Sequence, residues 1–561
     1  MLIALLYQIF IFTFCLTAGY FTNAAFLGFT ASRNKPWILH LFTGIIGTTF
    51  LSQWLVLWIP IQLSTTLPYG VTLLLLLFVY RKHAIPFFKD LKTSMSHGSA
   101  AEWISYTALL LLVLVYTAGP TSMDDTESYH IQMIKWINEY GTVKGIAVLH
   151  ERFGFNSSWF IAIAGFVPGK GSFQLYNVLN GTVSIALGYY LLSETFRAKK
   201  EQNHAYFLTT AALLFLSLVC WPIIRGNAGN SNYDMITAAL LVVLLLESFR
   251  HRNALMKQLS LEWILWPVFL FTVRIINYPV LILSLTMFIW LLGAKNYRQA
   301  GALLFFSILL VAPFIARTVY VSGYPFYPLM AIDPFSVDWK PDPAIVQERI
   351  DFTKYFNRVN VMYMDLEETR KLPFPDWIYY WFRYLFRYDL PWVILGISGI
   401  LLFVTRFRYS IRHWGNGLYI FSLVFLLQLI SWFIISPDPR FIYGTLIGGT
   451  FFLCYALFSV VKLPRMIPLP VFAMIMSTGL VLYCVTLWIR KENLRNPIQP
   501  IALTAPTFKT VQVDGVMFHL PEKVNGHWNT RCFGTPLPCL YIMDPRIHLR
   551  GKEIKDGFRL E

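Results

Sequence analysis

Stretches of this chain such as 205–224 and 471–489 run their full length without a charged side chain, and long apolar runs recur along most of the sequence. A bilayer core of roughly 30 Å takes about 20 apolar residues of helix. Inside lipid only helices and closed barrels satisfy their own backbone polar groups. Composition agrees, since 56% of the 561 residues are hydrophobic and only 14% charged, whereas soluble domains are nearer one quarter charged. The fold class expected is an all-α polytopic membrane protein with about 14 transmembrane helices. Spans are expected near 2–29, 38–59, 66–80, 103–119, 173–194, 205–224 and 234–249, and then near 261–275, 277–293, 299–320, 390–405, 415–436, 441–461 and 467–489. The pair 261–275 and 277–293 reads either as two short helices or as one broken one. The first basic residue is Arg33, so no charged segment precedes the first apolar run, and that helix is expected to stay as a signal anchor.

A net charge of +16 raises the question of nucleic acid. Here the charge is dispersed among short loops between apolar spans, which points to topology and anionic lipid headgroups, with no nucleic-acid partner. Every second loop is positive: Arg33 and Lys35; Arg81, Lys82, Lys89 and Lys92; Arg197, Lys199 and Lys200; Arg250, Arg252 and Lys257. The series continues with Lys295 and Arg298; Arg406, Arg408 and Arg412; Lys462 and Arg465. The positive-inside rule places these in the cytoplasm. Loops 60–65, 120–172, 225–233, 321–389 and 437–440 and the tail from 490 are then outside, with Arg490, Lys491 and Arg495 departing from the rule. Only the outer loops are long, so the working face is expected there. The division expected is accessory helices over 1–102, a core over 103–489 and a small extracytoplasmic domain over 490–561.

Cys15, Cys220, Cys454 and Cys484 lie in apolar runs and read as small core residues. Cys532 and Cys539 flank a Gly-Thr-Pro-Leu-Pro turn in the outer tail. An oxidising compartment and this spacing favour a disulfide over two free thiols. Upstream, Val511-Gln-Val-Asp514-Gly515-Val-Met-Phe reads as a hairpin with an Asp-Gly turn. A small mixed α/β or β domain is expected, held by one staple.

The segment after the fourth span carries the most chemistry: Thr121-Ser-Met-Asp124-Asp125-Thr-Glu127-Ser-Tyr129-His130, then Leu149-His150-Glu151-Arg152-Phe-Gly-Phe-Asn156-Ser-Ser-Trp159. Asp125, Tyr129 and Gln132 stand at i, i+4 and i+7, on one helix face. An aspartate at a helix start can cap free N–H groups, but two adjacent acids exceed what a cap requires. An exposed carboxylate there can act as general base toward a hydroxyl or as ligand to a hard cation. No His, Asp and Glu cluster has metal-ligand spacing, so a divalent metal is not supported and no cofactor is assigned. His130 reads as a base or ligand, or as a hydrogen-bonded structural group.

Arg152, Arg225, Arg274, Arg317 and Arg440 fall at or near outer span ends, where the positive-inside rule disfavours them. A guanidinium pairs bidentately with phosphate, so these suggest an anionic lipid-linked substrate. Snorkelling, or pairing with Asp438 and Glu151, is the plainer account for some. Arg440 stands out because Ser436-Pro-Asp-Pro-Arg-Phe is a constrained turn. The aromatic loop 321–389 suits interfacial anchoring as well as a sugar or isoprenoid groove, and 375–388 reads as an interfacial helix.

With this order of spans and the acidic motif, Asp125 with Tyr129 and then Gly141, the chain resembles the GT-C superfamily of integral membrane glycosyltransferases, among them the protein O-mannosyltransferases and lipid A aminoarabinose transferases. Three spans precede the acidic loop, where the superfamily usually has one. The stretch from Tyr129 to Trp159, together with Leu549-Arg550-Gly551 and Gly557-Phe558-Arg559, is also similar to an uncharacterised bacterial envelope group. The resemblance implies a polyprenyl-phosphate sugar donor, a glycan, lipid or protein acceptor, and a site facing the periplasm from a bacterial inner membrane. It implies Asp125 as the base, with Asp124 as second candidate, and Arg440 and Arg274 on the phosphate. Arg152 and His150 would touch sugar or phosphate, with Tyr129, His130 and Asn156 also lining the substrate. Asp234, beside Tyr233, would orient substrate or cap a helix. The competing readings are an outer-face polysaccharide polymerase or ligase, a secondary transporter and a non-catalytic scaffold. Transporters place ionisable groups near the midplane and often show two related halves, and neither feature is evident here.

Overall fold

The computed structural model describes residues 1–96, 98–169, 175–219, 224–359, 364–385, 389–406, 412, 414–460, 497–522 and 531–561. The expected span 467–489, the basic residues that follow it, Cys220, Cys484 and the side chain of Arg225 lie outside the described residues.

The apolar runs form helices. In the first half these are α1 (Leu2–Leu27), α2 (Trp37–Leu55), α3 (Leu63–Val79), α4 (Arg81–Ser96), α5 (Ala100–Ala118), α6 (Ile131–Glu139), α7 (Ser158–Ala164), α8 (Val178–Lys200) and α9 (His204–Val219). They continue with α10 (Asp234–Arg250), α11 (Leu255–Val273), α12 (Leu281–Gly293), α13 (Tyr297–Ser322), α14 (Pro343–Val359) and α15 (Phe374–Tyr384). The last are α16 (Leu390–Thr405), α17 (Asn416–Ile435) and α18 (Tyr443–Val460).

Among the described residues, seven helices are long and apolar enough to cross a membrane, or eight if α3 and the following helix, bent by 99° against it, count as one span. The protein is therefore a polytopic membrane protein. The other spans expected within the described residues take shorter or more polar forms. Helices α9 and α16 are apolar but short, while α8 ends in Arg197, Lys199 and Lys200. Helix α10 is buried on all sides from Asp234 to Phe249, as an interior helix is. The stretch 261–293 holds two helices, α11 and α12, joined by a 3-10 turn, Ile275–Val280, around Pro279. Pro279 has no N–H to continue a helix. Asn277 Nδ2 donates to the Leu270 carbonyl at 3.0 Å, satisfying backbone where the helix ends. Of the segment 375–388, expected as an interfacial helix, α15 covers residues up to Tyr384, and 386–388 lie outside the described residues.

Helices α1 and α2 meet backbone to backbone. A Cβ added to Gly19 would lie 1.7 Å from the His40 carbonyl oxygen, and one on Gly44 the same distance from that of Cys15. Small residues permit this approach between membrane helices.

Among the described residues, the basic loops near 33–35, 81–92, 197–200 and 250–257 gather on one face, tied by Arg33–Asp90 at 2.6 Å, Lys200–Glu102 at 3.1 Å, Arg250–Glu194 at 3.5 Å and the buried pair Lys35–Glu262. The opposite face carries the N-terminus, the acidic loop and the tail. Leu2 and Ile3 N–H donate to the Pro497 and Ile498 carbonyls, Ile501 N–H to Ala118, and Phe533 N–H to Glu127.

In the tail, β1 (Phe508–Val513) and β2 (Val516–Pro521) pair antiparallel, with Val513 opposite Val516. Asp514 and Gly515 both have positive φ, as a two-residue hairpin turn requires. Strands β3 (Ile547–Leu549) and β4 (Phe558–Leu560) form a second antiparallel pair. Cys532 and Cys539 are disulfide-bonded. Among the described residues of the tail, Phe518, Leu540, Ile547 and Phe558 belong to the same apolar cluster as the membrane helices.

Candidate functional site

Asp124 and Asp125 open the first helical turn after the loop that leaves α5. Asn230 Oδ1 accepts from the Ser122 and Met123 N–H groups at 3.1 Å each and holds that loop. After Asp125 the chain makes a π-helical turn, Thr126–His130, before α6 begins. Such turns are rare and frequent at functional sites.

The Asp125 carboxylate lies between two guanidiniums. Arg152 Nη1 stands 2.9 Å from Oδ1, and Arg440 Nη1 stands 2.9 Å from Oδ2. Burial raises its pKa, but Arg440 and Arg152 outweigh burial and hold the carboxyl well below the usual carboxylate range. About one fifth of the side chain remains exposed (20%).

Each arginine is positioned by a break in helical structure. Arg440 sits in a 3-10 turn, Pro439–Ile442, capped by Asp438. Asp438 accepts from the Arg440 backbone N–H at 3.0 Å and from its Nε at 2.7 Å. Arg274 ends α11 in extended conformation. Its Nη1 donates to Asp234 Oδ1 at 3.0 Å, and its guanidinium lies 3.6 Å from the centre of the Phe441 ring. Arg152 lies on a 3-10 turn, Glu151–Gly154, with its guanidinium 5.3 Å from the Tyr129 ring centre. Three aspartates (125, 234, 438) thus face three arginines (152, 274, 440), and the formal charges cancel.

Tyr129 and Tyr233 bring their hydroxyls to 3.4 Å. His130 is buried beside both rings and Phe160, with Nδ1 3.2 Å from Thr126 Oγ1. Burial, supported by the three arginines against Asp125, lowers its pKa to about 3, so it is neutral near pH 7. At the edge of the cluster, Asp389 accepts from the Tyr443 hydroxyl at 2.8 Å, and burial pushes its pKa to about 7.

The cluster therefore takes in Asp125, Tyr129, His130, Arg152, Asp234, Arg274 and Arg440. Other expected site residues face elsewhere. Asp124 is 78% exposed and pairs with Arg531 of the tail at 2.6 Å, so the two neighbouring acids occupy different environments. His150 lies 3.0 Å from Glu151, with its ring tilted by 59° against that of Tyr541 of the tail at 4.8 Å between centres, while Glu151 accepts from Arg349 Nε at 2.5 Å. Asn156 packs against α13, donating to Phe314 O at 3.0 Å and Thr318 Oγ1 at 2.9 Å. Gln132 donates to the Phe533 carbonyl at 3.1 Å. A π turn carries i to i+5 bonds, so the face counted at α-helical spacing is out of phase by Gln132.

Among the described residues, no three His, Cys, Asp or Glu side chains are grouped to hold a metal ion. The three aspartates face arginines, which leaves the cluster better matched to an anion exchanging with a carboxylate than to a cation. Sequence reading gave no role to Asp389, and Asp438 entered only as a partner for arginine. The signals available were the position of Asp389 at the start of a span and the Pro-Asp-Pro-Arg turn.

The family model described as "Domain of unknown function (DUF8201)" matches residues 1–447. The match contains every member of the cluster and stops before the tail. No curated protein and no solved structure matches the chain.

Proposed function

The chain belongs to the DUF8201 family, a domain of unknown function, and we propose that it is a membrane glycosyltransferase. It would move a sugar from a polyprenyl-phosphate donor to a glycan, lipid or protein acceptor on the extracytoplasmic face of a bacterial inner membrane. The observation that carries the reading is the partly exposed Asp125 carboxylate held between Arg152 and Arg440, beside aromatic rings at the ends of membrane helices. The gathering of basic loops on the opposite face supports the orientation.

In this reaction the acceptor oxygen attacks the anomeric carbon, and the bond from that carbon to the phosphate oxygen breaks. The acceptor proton passes to Asp125, and the lipid phosphate leaves with the electron pair. Clamped by two guanidiniums, Asp125 is a poor base. A bound phosphate competes for the same donors, and bidentate pairing with phosphate is strong. Drawing Arg152 or Arg440 toward phosphate raises the Asp125 pKa, so the base becomes effective only with donor in place. The same guanidiniums then stabilise the departing charge.

The test is purified wild type against Asp125→Asn, with radiolabelled polyprenyl-phosphate sugars and envelope extract as acceptor. The variant should lose about 100-fold or more of transfer while still binding donor. Undiminished transfer by the variant sinks the assignment. Transfer only from lipid diphosphate donors would favour the polymerase or ligase reading.

A further inference from the structure

Three outer-end arginines are spent on aspartates, whereas Arg317 is not. It lies on α13, its side chain is 0% exposed, and it ranks among the largest fully buried side chains of the molecule. Its Nη1 donates to Asn156 Oδ1. Its Nε and Nη2 have no hydrogen-bond partner, and no described carboxylate pairs with it. A buried cation without a counter-charge is costly, and removing it in favour of an apolar side chain commonly stabilises a fold. A membrane helix carrying one therefore reads first as a functional site.

Its place in the fold indicates what it serves. Asn156 follows Arg152 by four residues, on the segment that also carries Ser157. Ser157 Oγ donates to the Val273 carbonyl at 2.8 Å, and Val273 immediately precedes Arg274. Arg317 thus backs the chain segments that present Arg152 and Arg274. It stands five residues before the end of α13, about 7 Å along the axis at 1.5 Å per residue, a depth suited to a lipid headgroup. Phe314, one turn further in, packs beside the half-buried Phe271, whose ring also lies near that of Phe326 (6.1 and 6.4 Å between centres). These rings form an aromatic cluster one turn along α13 from Arg317.

We propose that Arg317, with Asn156, forms the membrane-side half of the site for the phosphate monoester of an isoprenyl lipid. The inference rests on the donor class proposed above. Its two unspent donors engage the phosphate without first breaking an ion pair, and Arg152 and Arg440 then transfer from Asp125. The partly exposed rings of Phe271 and Phe326, backed by the buried Phe314, contact the first isoprene units.

The full chain, purified in a phosphate-free detergent, is titrated with farnesyl phosphate, inorganic phosphate and farnesol, and melting is followed for each. Arg317→Met should melt at or above wild type without ligand and bind farnesyl phosphate about tenfold or more weakly, as loss of a charged hydrogen bond to ligand implies. Unchanged affinity in Arg317→Met overturns the proposal. If Arg317→Met does not give monodisperse protein, Arg317→Lys decides by the same ratio, because lysine keeps the charge but loses the fork. Equal affinity for inorganic and farnesyl phosphate would overturn the lipid assignment. Absence of farnesyl phosphate binding by wild type removes the proposed donor class as well. Binding by wild type that survives in Arg317→Met removes this inference alone.

Discussion

Asp125 and His130 stand one π turn apart; Arg440 and Arg152 keep the first ionised and, with Arg274, help keep the second neutral. The folded-state pKa of His130, about 3, lies below its unfolded value near 6.5. Its contribution to stability is therefore complete above about pH 6.5 and is lost as pH falls toward 3. His150 is also lowered by burial and adds to the slope with the same sign. Detergent-solubilised protein should lose roughly 1.4 kcal/mol per pH unit from His130 across this interval. His130→Asn should flatten the pH dependence of unfolding between pH 6.5 and 5, and parallel curves for the two proteins would count against the assignment. Asp125 gives stability that is present above its unfolded pKa and is lost only at still lower pH. For the phosphate, Arg440→Ala should weaken polyprenyl-phosphate binding about tenfold, whereas Lys92→Ala, on the opposite face, should not. Equal effects would reduce Arg440 to a topological charge.

At the scale of elements, close helix contact and open helix surface make opposite predictions for one chemical change. Gly44 faces the Cys15 carbonyl across the α1–α2 crossing, with no room for a methyl group. Gly44→Ala should destabilise the protein by about 2–3 kcal/mol, the upper range for overpacking. Gly301, on α13, has nothing within 4 Å of an added Cβ, so Gly301→Ala should stabilise by up to about 1 kcal/mol. Reversible denaturation in mixed micelles reads both, and a neutral Gly44→Ala would mean that the crossing is looser than the contact implies. The turns between elements matter more for chemistry. Arg152, Arg274 and Arg440 all lie at helix interruptions, where side chains from separate helices can converge on one carboxylate.

For the whole molecule, the described part of the tail shares apolar contacts with the membrane helices. Phe558 is fully buried, its ring lies 6.0 Å from Trp136 and 6.1 Å from Phe518, and its N–H donates to Lys144 O at 3.0 Å. Phe558→Ala should cost about 3–5 kcal/mol and increase hydrogen exchange in α6 as well as in the tail. Exchange confined to the tail would show that the shared core is not cooperative. Cys532 and Cys539 should resist alkylation until the purified protein is reduced, and labelling of both without reductant would contradict the bond. Since Phe533 bonds Glu127 and Gln132, reduction should also loosen the turn that follows Asp125.

Hydrophobicity alone determined that this chain enters a membrane as helices, because lipid leaves a backbone no other partners. Local turn chemistry likewise determined the Asp514-Gly515 hairpin. Arg152, Arg274 and Arg440 were legible as unusual charges at span ends, and Asp125 as one of two adjacent acids. Which aspartate the arginines hold was not legible, since Asp124 and Asp125 are adjacent acids that differ only in the side of the helical turn each one faces. Nor could sequence reveal that Arg440 reaches Asp125, that Asp389 is buried against Tyr443, or that Arg317 lacks a carboxylate. Those facts depend on how helices distant in sequence pack together, and each such pairing is decided by tertiary contact, because no local periodicity encodes it.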